Sequence, residues 1–167
     1  MKRLTLFRHA KSSWNDPGLP DNERPLSSRG ERDAPAMTAR LAARGERPDL
    51  ILTSHALRAT ATARVIAAGL GCADEAVRIE RRLYLAPLET LLHVLREQDD
   101  ADQHVLVVGH NPGLTDTANR LLPTLVCDNL PTSAVVAIAV DVDRWVDLGP
   151  TACRLLYYDY PKNTVGR

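Results

Sequence analysis

Little in this chain points towards metal, membrane or nucleic acid. The three cysteines, Cys72, Cys127 and Cys153, are odd in number, far apart and without a CxxC pair. Neither a disulfide framework nor a zinc site is therefore expected, and free thiols are. No apolar run approaches the roughly 18 residues of a membrane span, and no basic and apolar leader precedes the first β-prone segment, so the expected location is cytoplasmic. The 21 basic residues balance the 21 acidic ones, which leaves no global field to draw nucleic acid or an anionic membrane. Neither GxxxxGKS/T nor GxGxxG occurs, which excludes nucleotide cradles of those types. Repeats, low-complexity tracts and linkers are also missing, so residues 1–167 read as one domain, expected as a monomer or small oligomer.

What is present is an ordinary globular composition, 44% hydrophobic and 25% charged. A chain of this length buries roughly 70% of the surface its unfolded form exposes and needs no covalent staple. Of the 21 cations, 18 are Arg and three are Lys. Arginine is the residue best shaped for forked contact with phosphate or carboxylate. Most of these, such as Arg40, Arg44 and Arg47, belong on solvated helix faces.

Short β-prone runs and segments of helical spacing alternate along the chain. Residues 3–8 (RLTLFR) are β-prone, and 10–26 are broken by Asp16, Pro17, Gly18, Pro20 and Pro25 into a loop. A helix is expected over 28–44, capped from Ser27 or Ser28, with Pro35 as a marker of a later start. DLILTS at 49–54 gives a strand, followed by a helix to Gly69 or Gly71. Residues 77–80 give a small strand and Pro87–Gln98 a helix with Leu88, Leu91, Leu92 and Leu95 on one face. HVLVVGHNPG repeats the pattern of strand, polar turn and helix, with the strand at 104–108 and the helix at 114–122. Two more strands, 133–141 and 152–160, are joined as a hairpin through 142–151. This order predicts an α/β fold of three α/β/α layers around a mostly parallel sheet.

Ligands in such sheets collect beyond the carboxyl ends of the strands. Three strand ends then bring Arg8 and His9, the segment Ser54 to Arg58, and His110 with Asn111 to a common rim. Two guanidiniums with nearby hydroxyls, amides and helix N-termini suit a tetrahedral anion such as phosphate. Ser12, Asn15, Asn111 and Ser133 are candidate substrate-binding residues, each with a turn-forming alternative. His9 is the candidate nucleophile, because neutral imidazole attacks phosphorus and its ordinary pKa of about 6.5 leaves much of it neutral. No metal or other cofactor is expected: His9 and His110 lack a third ligand, and the two flanking arginines repel a cation. His93 and His104 read as structural, and His55 sits near the rim.

These blocks carry a family resemblance. RHAKSSWN is similar to the RHG motif of the histidine phosphatase superfamily, which includes the cofactor-dependent phosphoglycerate mutases. LTSHALRATATA resembles that family's second Arg block, and VLVVGHNPGL its second His block. With Ala10 in place of Gly, the segment RPLSSRGERDA and the short length, the chain most resembles the SixA-type phosphohistidine phosphatases. The resemblance implies the phosphoglycerate mutase-like fold and transient phosphorylation of His9. Arg8, Arg58 and His110 would surround the phosphoryl group, and water would release it.

Many members of the family carry an acid after the second helix that protonates a leaving alkoxide. Here the segment is RIERRLYLAPLE, with the apolar Leu85 near the acidic position and Glu80 and Glu89 several residues to either side. A phosphoramidate nitrogen is protonated before cleavage, so a missing acid favours a P–N substrate. The expected partner is a phosphorylated protein bearing phosphohistidine, or a small phosphorylated substrate. A general phosphomonoesterase or Ser/Thr phosphatase is the alternative enzyme, and a phosphate-binding module without catalysis is the alternative of another class.

Overall fold

The computed structural model describes residues 1–164. Its six strands are β1 (Lys2–Arg8), β2 (Leu50–Thr53), β3 (Val77–Ile79), β4 (His104–Gly109), β5 (Val135–Val140) and β6 (Cys153–Asp159). The helices are α1 (Ser28–Ala43), α2 (Leu57–Leu70), α3 (Leu88–Arg96) and α4 (Gly113–Leu121). Together the strands form one sheet in the order β3-β2-β4-β1-β5-β6. The pairs β2·β3, β2·β4 and β1·β4 are parallel, whereas β5 runs antiparallel to both of its neighbours. The sheet is thus mostly parallel, and β1 and β4 lie side by side at its centre.

Both faces of the sheet are covered, and side-chain alternation decides which residue meets which layer. Leu50 and Leu52 of β2, with Val105 and Val107 of β4, pack on the side of α3 and α4, as do Leu4 and Leu6 of β1. Ile51, Leu106 and Val108 point the other way and join Met37 and Leu41 of α1 with Ala59, Ala63 and Ile66 of α2. The run of six buried residues in β4 reflects this double coverage. Between β5 and β6 the chain makes two short 3-10 turns, at Trp145–Asp147 and Pro150–Ala152, and the strands it joins are antiparallel neighbours.

Element ends deviate from the sequence expectation in two instructive places. Pro35 does not delay α1: the helix begins at Ser28, where the Ser27 side chain accepts from the Gly30 N–H at 3.1 Å, and Pro35 lies inside it. Pro35 is exposed, so the carbonyl that loses its helical partner can turn to water while Ala34, Met37 and Leu41 hold the buried face. Strand β5 begins at Val135, two residues late, because Ser133 sits at φ 63° in a turn.

Candidate active site

The carboxyl ends of β1 and β4 are neighbours in register, Arg8 opposite Gly109. His9 and His110 therefore leave the sheet side by side, with ring centroids 5.1 Å apart. Strand β2 ends beside β4 and sends the chain through Ser54 into α2, whose second residue is Arg58. Sequence-distant side chains are thereby gathered in a pocket of about 220 Å³, lined by Arg8, His9, Ser12, Arg58, His110 and Asn111 among others.

Hydrogen bonds fix both imidazoles. Nδ1 of His9 lies 2.8 Å from the Ala10 carbonyl; a carbonyl only accepts, so Nδ1 carries the proton and Nε2 presents a lone pair. That Nε2 stands 3.4 Å from Arg58 Nε. Nε2 of His110 lies 2.7 Å from the Ser54 hydroxyl, which itself accepts from the Ala56 N–H. The Ser54 hydroxyl can give or take a hydrogen, so the other ring atom decides: His110 Nδ1 lies 3.4 Å from Arg58 Nη2, a guanidinium only donates, and Nδ1 therefore accepts while Nε2–H points to Ser54 Oγ. Both rings thus turn a lone pair towards Arg58 and keep their proton on the side of the protein.

Electrostatics favour the same assignment. Burial, with the nearby Arg58 and Arg8, lowers His9 to about 4. Burial, then His9 and Arg58, lowers His110 to about 3. Both rings are neutral at neutral pH. Arg8 is itself shifted down by burial and by the charge of Arg58; its Nη1 donates to the Leu130 carbonyl at 2.6 Å, while its buried Nε has no partner. Two arginines held close together beside an unpartnered donor make an anion-binding centre.

The remaining candidates are placed unequally. Ser12 lines the pocket, as does Asn111. The Asn111 amide, however, is engaged within the protein, donating to Asn129 Oδ1 and the Leu130 carbonyl and accepting from Thr115. Its side chain thus builds the loop whose Leu130 carbonyl holds Arg8. Asn15 is exposed and lies outside the pocket lining. Ser133 is fully buried and outside the lining as well; its N–H donates to the carbonyls of Arg8 and His9, and so pins the end of β1. His55 stacks against Tyr84 with centroids 5.0 Å apart, His93 pairs with Glu97 on the surface, and His104 bonds Thr5 inside the protein.

Sequence reasoning missed Asp21 and Tyr84. Asp21, from the loop between β1 and α1, accepts from Arg58 Nη2 at 2.9 Å through its carboxylate and from Nη1 at 2.7 Å through its carbonyl. The Tyr84 hydroxyl donates to the same carboxylate oxygen. Burial raises the Asp21 carboxyl, but donation from Tyr84 and Arg58 outweighs it and the group titrates below its ordinary range. Trp14, 63% exposed, stands at the rim with the Arg24 guanidinium 3.6 Å over its ring. Leu85, also exposed, completes the mouth, while Glu80 is occupied with Arg82. No group of three or more metal-ligating side chains is gathered among the described residues.

An uncharacterized protein of Mycobacterium tuberculosis is 30% identical to this chain over 165 residues, 93% of the chain and 100% of the relative. The family model for the histidine phosphatase superfamily (branch 1) matches residues 4–84, the span that runs from β1 through Tyr84. The chain belongs to the histidine phosphatase superfamily. Membership, together with the SixA structure that follows, makes it a phosphatase, a hydrolase by class. An uncharacterized chloroplastic protein of Arabidopsis thaliana is 34% identical over 128 residues, 72% of this chain; the chain covers 59% of that relative's length. Among solved structures, the proposed phosphohistidine phosphatase SixA of Agrobacterium tumefaciens superposes with a TM-score of 0.80 at 28% identity, covering 96% of this chain and 98% of its own. The second histidine of this superfamily member, His110, falls outside the matched span, and the β1–β4 pairing brings it to the first.

Proposed function

We propose that this phosphatase acts on phosphohistidine, through a covalent phosphoryl intermediate on His9. The observation that carries the reading is the neutral His9 ring, its Nδ1 proton held by the Ala10 carbonyl and its Nε2 turned to Arg58. In the first step the Nε2 lone pair forms a bond to phosphorus and the bond to the leaving nitrogen breaks. In the second, water attacks phosphorus, the bond to His9 breaks, and phosphate leaves. Arg8 and Arg58 neutralise the equatorial oxygens, and His110, once the Ser54 hydroxyl turns its hydrogen to Nε2, donates to one of them from Nδ1.

Choice of leaving group rests on what stands at the mouth. Leu85 lines the pocket near the position of the family's acid, Glu80 is paired with Arg82, and Asp21 is held as a carboxylate. An alkoxide leaves poorly without a proton, whereas an N-phosphorylated imidazole carries its own. No resident metal is part of this scheme.

His9→Ala should abolish phosphate release, and wild-type activity should survive EDTA. Turnover of a phosphohistidine peptide should leave acid-labile, base-stable phosphate on His9. Full activity in His9→Ala overturns the mechanism. A strong preference for phosphoserine or aryl esters in side-by-side kcat/KM measurements overturns the substrate.

A further inference from the structure

Asp21 is a carboxylate inside a phosphate pocket, an arrangement that needs an explanation. It lines the pocket with Arg8, His9, Arg58 and His110. Its Oδ2 accepts from both Arg58 and Tyr84, whereas neither hydrogen bond uses Oδ1. The side chain is 46% exposed, so Oδ1 is open to water or to an incoming substrate. For an ordinary phosphate ester this negative charge is a liability, since it repels the dianion and offers the leaving oxygen no proton.

The balance reverses when the group attached to phosphorus is a cation. In phosphohistidine, the ring nitrogen not bonded to phosphorus takes up a proton from solvent. The ring is then an imidazolium, and it departs as neutral imidazole when the P–N electron pair returns to it. The new bond forms from His9 Nε2 to phosphorus, and Asp21 neither gains nor loses a proton. We propose that Asp21 is a specificity-determining residue, whose Oδ1 accepts a hydrogen bond from the protonated leaving ring and so selects imidazole phosphoramidates over esters. This rests on the phosphohistidine reading above and names the residue that enforces it. Tyr84 and Arg58 serve the same end, since their donation to Oδ2 keeps the carboxylate charged and leaves Oδ1 available.

Asp21→Asn removes the charge at nearly constant volume. Wild type and variant are compared on a phosphohistidine peptide and on p-nitrophenyl phosphate, whose leaving group departs as an anion without a proton. The ratio of kcat/KM for the peptide to that for the aryl ester should fall roughly tenfold in the variant, a change of about 1.4 kcal/mol, and Asp21→Glu should recover most of it. Formation of the His9 phosphoenzyme from the aryl ester reports that the variant is folded. An unchanged ratio, including a parallel loss on both substrates as expected of a residue that merely holds Arg58, overturns the proposal. Absence of phosphohistidine turnover in the wild type instead overturns the substrate reading on which it rests.

Discussion

At the scale of single residues, the division of labour between two histidines depends on groups that touch neither phosphorus nor each other. The Ala10 carbonyl fixes the tautomer of His9, and the Ser54 hydroxyl, able to give or take a hydrogen, lets His110 hold either. Ser54→Ala should therefore hold the proton of His110 on Nε2 and keep a lone pair towards the phosphoryl oxygens, because no hydroxyl remains to give its hydrogen to Nε2. Loss of one transition-state donor of this kind costs roughly a hundredfold in kcat. KM should change less, Ser54→Thr should restore most of the rate, and nitrogen NMR shifts of His110 should report the tautomer. Both rings should also stay neutral far below the usual imidazole range in the free protein, with His9 titrating at about 4 and His110 at about 3. An NMR titration midpoint near 6.5 for either ring contradicts a buried, arginine-flanked environment. The core of the candidate site was legible in the sequence because His9, Arg58 and His110 follow apolar runs that end at the same sheet edge. Asp21 was not, for a physical reason: it lies in a loop without periodicity, and its partners Arg58 and Tyr84 are 37 and 63 residues away.

At the scale of elements, two segments that carry site residues are packed without room for a methyl group. A Cβ added to Gly113, the first residue of α4, would stand 1.8 Å from the Ala86 carbonyl oxygen. Gly113 lies three residues after His110, and Ala86 follows Tyr84 and Leu85 directly. Gly113→Ala should thus cost roughly 1 to 3 kcal/mol, lower Tm by several degrees, and reduce kcat by separating the two segments; thermal melts and steady-state rates check both. Elements themselves were readable because continuous apolar runs, as in β4, alternate with apolar residues at helical spacing, as in α3. Pro35 misled because propensity is a local quantity, and α1 is held by the Ser27 cap and by a buried face that the exposed proline does not touch. The sequence alone offers the Asn111 amide as a ligand donor because its loop partners, Asn129 and Leu130, are nearly twenty residues away.

Across the whole molecule, chemistry and stability occupy opposite edges of the sheet. At the amino edge the buried Glu46 carboxylate takes the Arg3 guanidinium and the Tyr157 hydroxyl, the latter at 2.6 Å, and lies 3.6 Å from His104. This cluster ties β1, β4 and β6 together. Glu46→Ala leaves those donors unmatched and should cost about 1 to 3 kcal/mol, seen as a lower Tm, with kcat unchanged at the distant site. Acid acts on the active-site edge. His9 and His110 have native pKa values below the unfolded value of about 6.5, so between roughly pH 6.5 and pH 4 the unfolded chain binds more protons than the native one. Stability should rise with pH through that window and be lost as pH falls through it. Melts at pH 7 and pH 4.5 should differ in that direction, and His9→Gln should narrow the difference.

The stacked pair at the pocket mouth gives the protein a built-in optical probe. The chain has two tryptophans: Trp145 is sealed in the interior, and Trp14 stands at the rim beneath Arg24. Trp145 emission should stay constant when an oxyanion enters, so any quench or spectral shift on titration with vanadate or phosphate belongs to Trp14. Trp14→Phe should silence that signal while the emission of Trp145 persists, which makes occupancy of the site measurable without a label and in the absence of turnover.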